Sequence, residues 1–212
     1  MHIPDGFLSP PVWIGSWVFS LAGIWFFIKR VVSLMQDKMV PLMGVASAFI
    51  FAAQMINFPV AGGTSGHLLG GVLAAIFLGP WAGALVITIV LIAQALIFQD
   101  GGITALGANI LNMAMLGTVG GYYIYYFLGL LFKGKKGTIF ATAAAAWASA
   151  VIASSLCALE LALSGTSPLT IVLPAMAGIH AIIGIFEALI TTFIVGFMIK
   201  IRPDLIYKKE KA

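Results

Sequence analysis

The chain has 212 residues, of which 61% are hydrophobic and only 8% charged, with a formal net charge of +4. A water-soluble domain of that length cannot cover so much apolar side chain, so the solvent is lipid and the chain reads as a polytopic helical membrane protein. The 11 Lys and Arg residues fall into clusters at membrane edges, which leaves no basic surface for nucleic acid, and the single Cys157 excludes an internal disulfide.

A helical span needs about 20 apolar residues, and seven candidates follow in order. Pro4, Asp5, Gly6, Pro10 and Pro11 predict a fixed turn before the first span, which runs from about Val12 to Ile28 and ends at Lys29-Arg30. The second covers roughly Val40 to Phe58 and is closed by Pro59. A glycine-rich loop, Gly62-Gly63-Thr64-Ser65-Gly66-His67, precedes a short third span from about Leu68 to Leu78, punctuated by Gly79-Pro80. The fourth runs from Trp81 to about Phe98 and stops at Gln99-Asp100-Gly101-Gly102. The fifth, Ile103 to Phe132, is expected to open with a half-buried loop. After Lys133-Gly134-Lys135-Lys136-Gly137 the sixth covers about Thr138 to Leu163, and the seventh about Val172 to Ile199.

Basic residues mark cytoplasmic segments. Lys29, Arg30 and Lys38 form one cluster, Lys133, Lys135 and Lys136 a second, and Lys200, Arg202, Lys208, Lys209 and Lys211 the third. An odd number of spans then puts Met1 outside, on the same face as the loops carrying His67, Asp100 and Ser164. The expectation is one membrane domain over residues 1–212, with an extracellular segment 1–11 and a cytoplasmic basic tail 200–212. No secretory signal pattern precedes the first span, so Met1 is expected to persist with a free amine.

A Met-His start offers three nitrogens to one metal ion: the Met1 amine, the His2 amide and His2 Nδ1. They close a five- and a six-membered chelate ring, and a deprotonated amide favours the square-planar field of Ni(II) or Cu(II). One corner of that square stays open, and His67 is the candidate to fill it. Asp5, Asn57, Ser65 and Gln94 are candidates to pair with the second ring nitrogen of His67 and fix its tautomer.

The start MHIPDGFLSP, the run AGGTSGHLLGG at Ala61 to Gly71, the segment Gln99 to Gly102 with Gly107-Ala108-Asn109-Ile110-Leu111-Asn112-Met113, and the His180 to Glu187 stretch together resemble the nickel/cobalt substrate-binding (S) component of energy-coupling factor transporters, of the NikM/CbiM type. The resemblance implies an all-α integral membrane protein with seven transmembrane helices, six forming the S-component core and an extra N-terminal helix delivering the metal ligands. It carries the ligand role onto Met1, His2 and His67. It also implies a transmembrane T component, two cytoplasmic ATPase subunits, a small accessory membrane subunit and a prokaryotic plasma membrane. The transported substrate is then Ni(II), with Co(II) the alternative. The chain has no P-loop pattern of its own, so no bound ATP is expected.

Further features have competing uses. Gly44, Ala48 and Ala52 repeat every four residues along the second span, a smooth stripe that permits close approach of another helix. In the family such a stripe docks the T component. His180, Glu187 and Glu160 are ionisable groups at membrane depth, expected either to form an interhelical cluster or to mark a secondary metal path. Gln54, Asn57, Gln94, Asn109 and Asn112 are expected to make interhelical polar contacts rather than to be ligands. Two rival functions exist: a stand-alone metal carrier, and a rhomboid-like serine protease built on Gly63-Thr64-Ser65-Gly66 with His180 as base.

Overall fold

The computed structural model describes residues 1–35, 37, 39–60 and 64–207. Lys38, the Gly62-Gly63 pair and the tail residues Lys208, Lys209 and Lys211 of the sequence-based expectations lie outside them. The described residues form seven helices: α1 (Pro10–Leu34), α2 (Met39–Gln54), α3 (Gly71–Leu78), α4 (Pro80–Phe98), α5 (Leu106–Leu131), α6 (Gly134–Leu163) and α7 (Leu169–Ile201). Between α2 and α3 lies an antiparallel hairpin of β1 (Phe58–Val60) and β2 (Thr64–Gly66).

Five of these helices are long and apolar enough to cross a membrane, whereas α2 is shorter and α3 has only 8 residues. The third expected span, Leu68 to Leu78, is therefore only partly helical. Its helix begins at Gly71, after Gly70 in the left-handed region (φ 74°), and residues 67–70 run without helix or strand. Non-helical backbone at membrane depth is tolerated where protein buries it and satisfies its amides. Both conditions hold at Leu69, which is buried, and the Leu69 and Gly70 amides donate to the Glu187 carboxylate. The second expected span likewise stops its helix at Gln54, because Phe58–Val60 leaves to pair with Thr64–Gly66.

Of the five membrane-length helices α4 is the most buried and α1 the least. α1 reaches α5 through small residues: Ser20 Oγ donates to the Gly107 carbonyl at 2.6 Å. α6 and α7 pair along their lengths. Outward-facing Phe19, Trp25, Leu189 and Phe193 are largely exposed, a distribution only an apolar solvent accommodates.

The ends of the bundle are unlike. At one end Met1 meets Ser65, Asp5 meets Thr104, Asn57 meets Asp100, and Thr166 donates to the Phe7 carbonyl. At the other, the Tyr207 amide donates to the Ile76 carbonyl at 2.9 Å. The N-terminus and the last described residue thus sit at opposite ends, as an odd number of crossings requires.

Candidate metal site

The N-terminal segment is tied down residue by residue. The Met1 amine donates to the Ser65 carbonyl and to Ser65 Oγ (3.2 Å), and the His2 amide donates to Ser65 Oγ (3.3 Å). Ile3 is held by a two-way amide pairing with Asn109 of α5: its N–H donates to Asn109 Oδ1 at 2.9 Å, and Asn109 Nδ2 donates back to its carbonyl at 3.3 Å. The same carbonyl accepts from the Gly102 amide at 2.9 Å. Asp5 caps the loop before α5, accepting from the Thr104 hydroxyl and from the Ile103 and Thr104 amides at 3.0 and 2.7 Å, and these bonds, the hydroxyl's foremost, hold its carboxyl below the usual carboxylate range. Met1, His2 and Ile3 are consequently buried.

The loop after α4 must come very close to make this possible, which explains its two glycines. A Cβ at Gly101 would stand 3.3 Å from the His2 ring, and one at Gly102 only 2.2 Å from the Asp5 amide nitrogen. A π-helical turn, Gln94–Phe98, ends at Gln99 in a left-handed conformation and returns the Asp100 amide to the Gln94 carbonyl at 3.0 Å. Gln94 and Asp100 thereby reach the same spot.

The His2 and His67 rings stack at 4.5 Å between centroids and 26° between planes. His2 Nε2 faces Gln94 Oε1 at 3.0 Å, which puts the proton on Nε2 and leaves Nδ1 as a lone pair. His67 Nδ1 faces the Leu68 carbonyl at 2.8 Å, which leaves Nε2 as the lone pair. His2 Nδ1 and His67 Nε2 are both buried without a hydrogen-bond partner. A buried polar atom left unpaired needs a physical reason, and a metal ion is one that suits an imidazole lone pair. Asp100 Oδ1 lies 3.4 Å from His2 Nδ1, two acceptors whose mutual repulsion a cation would relieve.

Burial also shifts the titration of these groups. It pushes the Met1 amine down to about 5 and the His2 imidazole down to about 3, the latter helped by the neighbouring amino terminus. His67 is pushed well below the usual histidine range by burial, the amino terminus and His2. For all three, burial favours the neutral form, the form in which an amine or imidazole nitrogen keeps its lone pair. Asp100 moves the other way, raised by burial. Among the described residues no three His, Cys, Asp or Glu side chains converge on one point. A metal held here must therefore use the main-chain terminus as well.

The four candidates for pairing with His67 all lie around this cluster, but the Leu68 carbonyl takes that place. Gln94 serves His2, Ser65 serves the terminus, Asn57 donates to Asp100 Oδ2 at 2.9 Å, and Asp5 caps the 101–105 loop. Sequence reasoning had no role for Asp100 and gave Asn109 only an interhelical one. For Asp100 the signal available was its position next to the Gly101-Gly102 pair. His180, Glu187 and Glu160 do not form one cluster. His180 Nδ1 faces the Met176 carbonyl, Glu187 holds the Leu69 and Gly70 amides, and Glu160 accepts from Asn112 at 2.6 Å between α6 and α5. Ser65 Oγ is engaged with the N-terminus and not with His180, so the serine-protease dyad is not assembled. Gly44, Ala48 and Ala52 lie exposed along α2, and nothing approaches the space a Cβ on Gly44 would occupy.

Fold and site together define a multi-pass helical membrane protein with a nitrogen-lined cluster closed by its own N-terminus. The chain belongs to the CbiM family, described as the cobalt uptake substrate-specific transmembrane region, whose profile matches residues 2–205. It is 40% identical to the "Putative fused nickel transport protein NikMN" of Archaeoglobus fulgidus, over 99% of this chain and 69% of that protein. It is 33% identical to the "Putative cobalt transport protein CbiM 2" of Methanocorpusculum labreanum, over 98% of this chain and 93% of that protein. Among solved structures, the crystal structure of a truncated transition metal transporter superposes with a TM-score of 0.88 at 35% identity, covering 94% of this chain and 99% of the other.

Proposed function

We propose that this chain is the substrate-specificity component of an ATP-driven energy-coupling factor importer, and that it captures Ni(II) at the outer face of a prokaryotic plasma membrane. The observation that carries the reading is the burial together of a neutral amine and two imidazoles whose inward nitrogens lack partners. The ligands are the Met1 amine, the His2 amide nitrogen, His2 Nδ1 and His67 Nε2. Such an all-nitrogen set selects against oxygen-preferring Mg(II) and Ca(II).

Capture with a deprotonated amide has a consistent charge balance. Ni(II) minus the amide proton leaves one positive charge in a buried place, and the Asp100 carboxylate beside His2 neutralises it. The His2 amide N–H donates to Ser65 Oγ, and its proton is released to solvent as the nickel–nitrogen bond forms.

Nickel is preferred over cobalt because the planar nitrogen field suits Ni(II), and the nickel-named relative above shares more identity than the cobalt-named one. The basic residues of the ends of α1 and α7, with Lys133 before α6, favour a cytoplasmic C-terminus and an external Met1. Reorientation and release then depend on partners: a transmembrane T component, two cytoplasmic ATPases and a small accessory membrane subunit. The chain itself is not an enzyme in this reading.

The test is to block the amine. Full-length protein with a native terminus should bind Ni(II) tightly and give the yellow, diamagnetic signature of a planar complex. A formylated or acetylated terminus should lose both, and equal affinity in the blocked protein would end the assignment. Uptake by cells making only this chain would instead support a stand-alone carrier.

A further inference from the structure

The mechanism above leaves a buried carboxylate unused, Glu187 on α7. Its two oxygens accept from consecutive main-chain amides, Leu69 at 2.7 Å and Gly70 at 2.9 Å. The carbonyl of the same Leu69 accepts from Gln54 Nε2 of α2 at 2.7 Å. Gln54, Glu187 and Leu69 are all buried, and His67 stands two residues before the gripped residue, its own Nδ1 tied to the Leu68 carbonyl. The backbone between His67 and α3 is irregular and therefore has no ladder of its own to fix it.

Resting on the functional reading above, we propose that Glu187, with Gln54, is a positioning residue for metal capture, setting the place from which His67 presents Nε2. The two side chains come from different helices and hold opposite sides of Leu69. Removing either leaves a buried main-chain group unpaired, which the loop relieves only by moving. Because Gln54 lies two residues beyond Ala52, a displacement of α2 by a docked partner reaches His67 through the same bond.

The experiment is a double-mutant cycle on full-length protein with a native amino terminus, titrated with Ni(II). Glu187→Gln keeps the shape but can accept from only one of the two amides at a time. It should weaken binding about 10- to 100-fold, the usual effect of disturbing a group behind a metal ligand, and alter the planar absorption band. In a His67→Ala background, where only the weaker Met1–His2 chelate remains, the same change should cost nothing further. A general structural role would weaken both backgrounds by the same factor, so multiplying losses overturn the proposal. Unchanged affinity and spectrum in Glu187→Gln also overturn it. If that variant does not fold, Gln54→Met in the same cycle decides by the same criteria. Failure of the unaltered chain to bind Ni(II) would reject the functional reading itself, and this inference with it.

Discussion

Gly102→Ala tests whether the N-terminus must dock for the metal to be held. An added Cβ would lie 2.2 Å from the Asp5 amide nitrogen, 2.5 Å from Asp5 Oδ1 and 2.7 Å from Asp5 Cα. Two of those three atoms are main chain, so rotating a side chain cannot relieve the clash, and the segment carrying Met1 and His2 must lift. The Gly102–Ile3 hydrogen bond at 2.9 Å is strained in the same movement. Overpacking of this kind costs about 1–3 kcal/mol. Charged against the docked, binding-competent state, that is an affinity loss of roughly 5- to 150-fold. Titration calorimetry with Ni(II) reads the loss, while thermal unfolding should show the bundle little changed. Gly44→Ala, where nothing stands within 4 Å, is the control and should bind as the parent does. If Gly102→Ala also binds as tightly as the parent, docking of the terminus is not required and the coordination scheme fails.

Three further outcomes are expected. His67→Ala should abolish high-affinity nickel binding and leave the melting transition in place; an unchanged calorimetric affinity would remove His67 from the site. Asp100→Asn should weaken Ni(II) binding by about 10- to 100-fold, since the buried cationic centre loses its counter-charge, and a change below twofold would show that Asp100 has no such part. Ala48→Trp on the exposed stripe of α2 should lower the yield of the assembled transporter without altering metal affinity. A normal yield of complex would rule out docking through that stripe.

Much of the bundle is legible without coordinates, because hydropathy is local. The apolar run before Lys200 finds its helix in α7 to within a few residues at the ends, whereas α1 does not end at Lys29-Arg30 as expected but runs on through them to Leu34. The break at Leu68–Gly70 is less legible, since an apolar Leu-Leu-Gly-Gly stretch reads as a weak helix start. The backbone turns left-handed at Gly70 (φ 74°), and the Leu69 and Gly70 amides are accepted by Glu187, more than a hundred residues away, which no local run of sequence shows. Tautomers are similarly hidden. Which nitrogen of His2 is bare depends on Gln94, 92 residues further on, and the Leu68 carbonyl decides the same question for His67.

The amino-acid order alone therefore determines the solvent and most of the helical runs, and predicts which connections share a face, because each follows from the composition of a contiguous run or the placing of positive charge. It also supplies the donor types, since a Met-His start and an imidazole can be read directly. Only the tertiary structure decides that Met1, His2 and His67 are buried together with the two rings stacked, and that Ser65, Gln94 and Asn109 tie down the N-terminal segment. Burial and hydrogen-bond partnership are properties of the space between distant segments, and no single stretch of sequence contains that space.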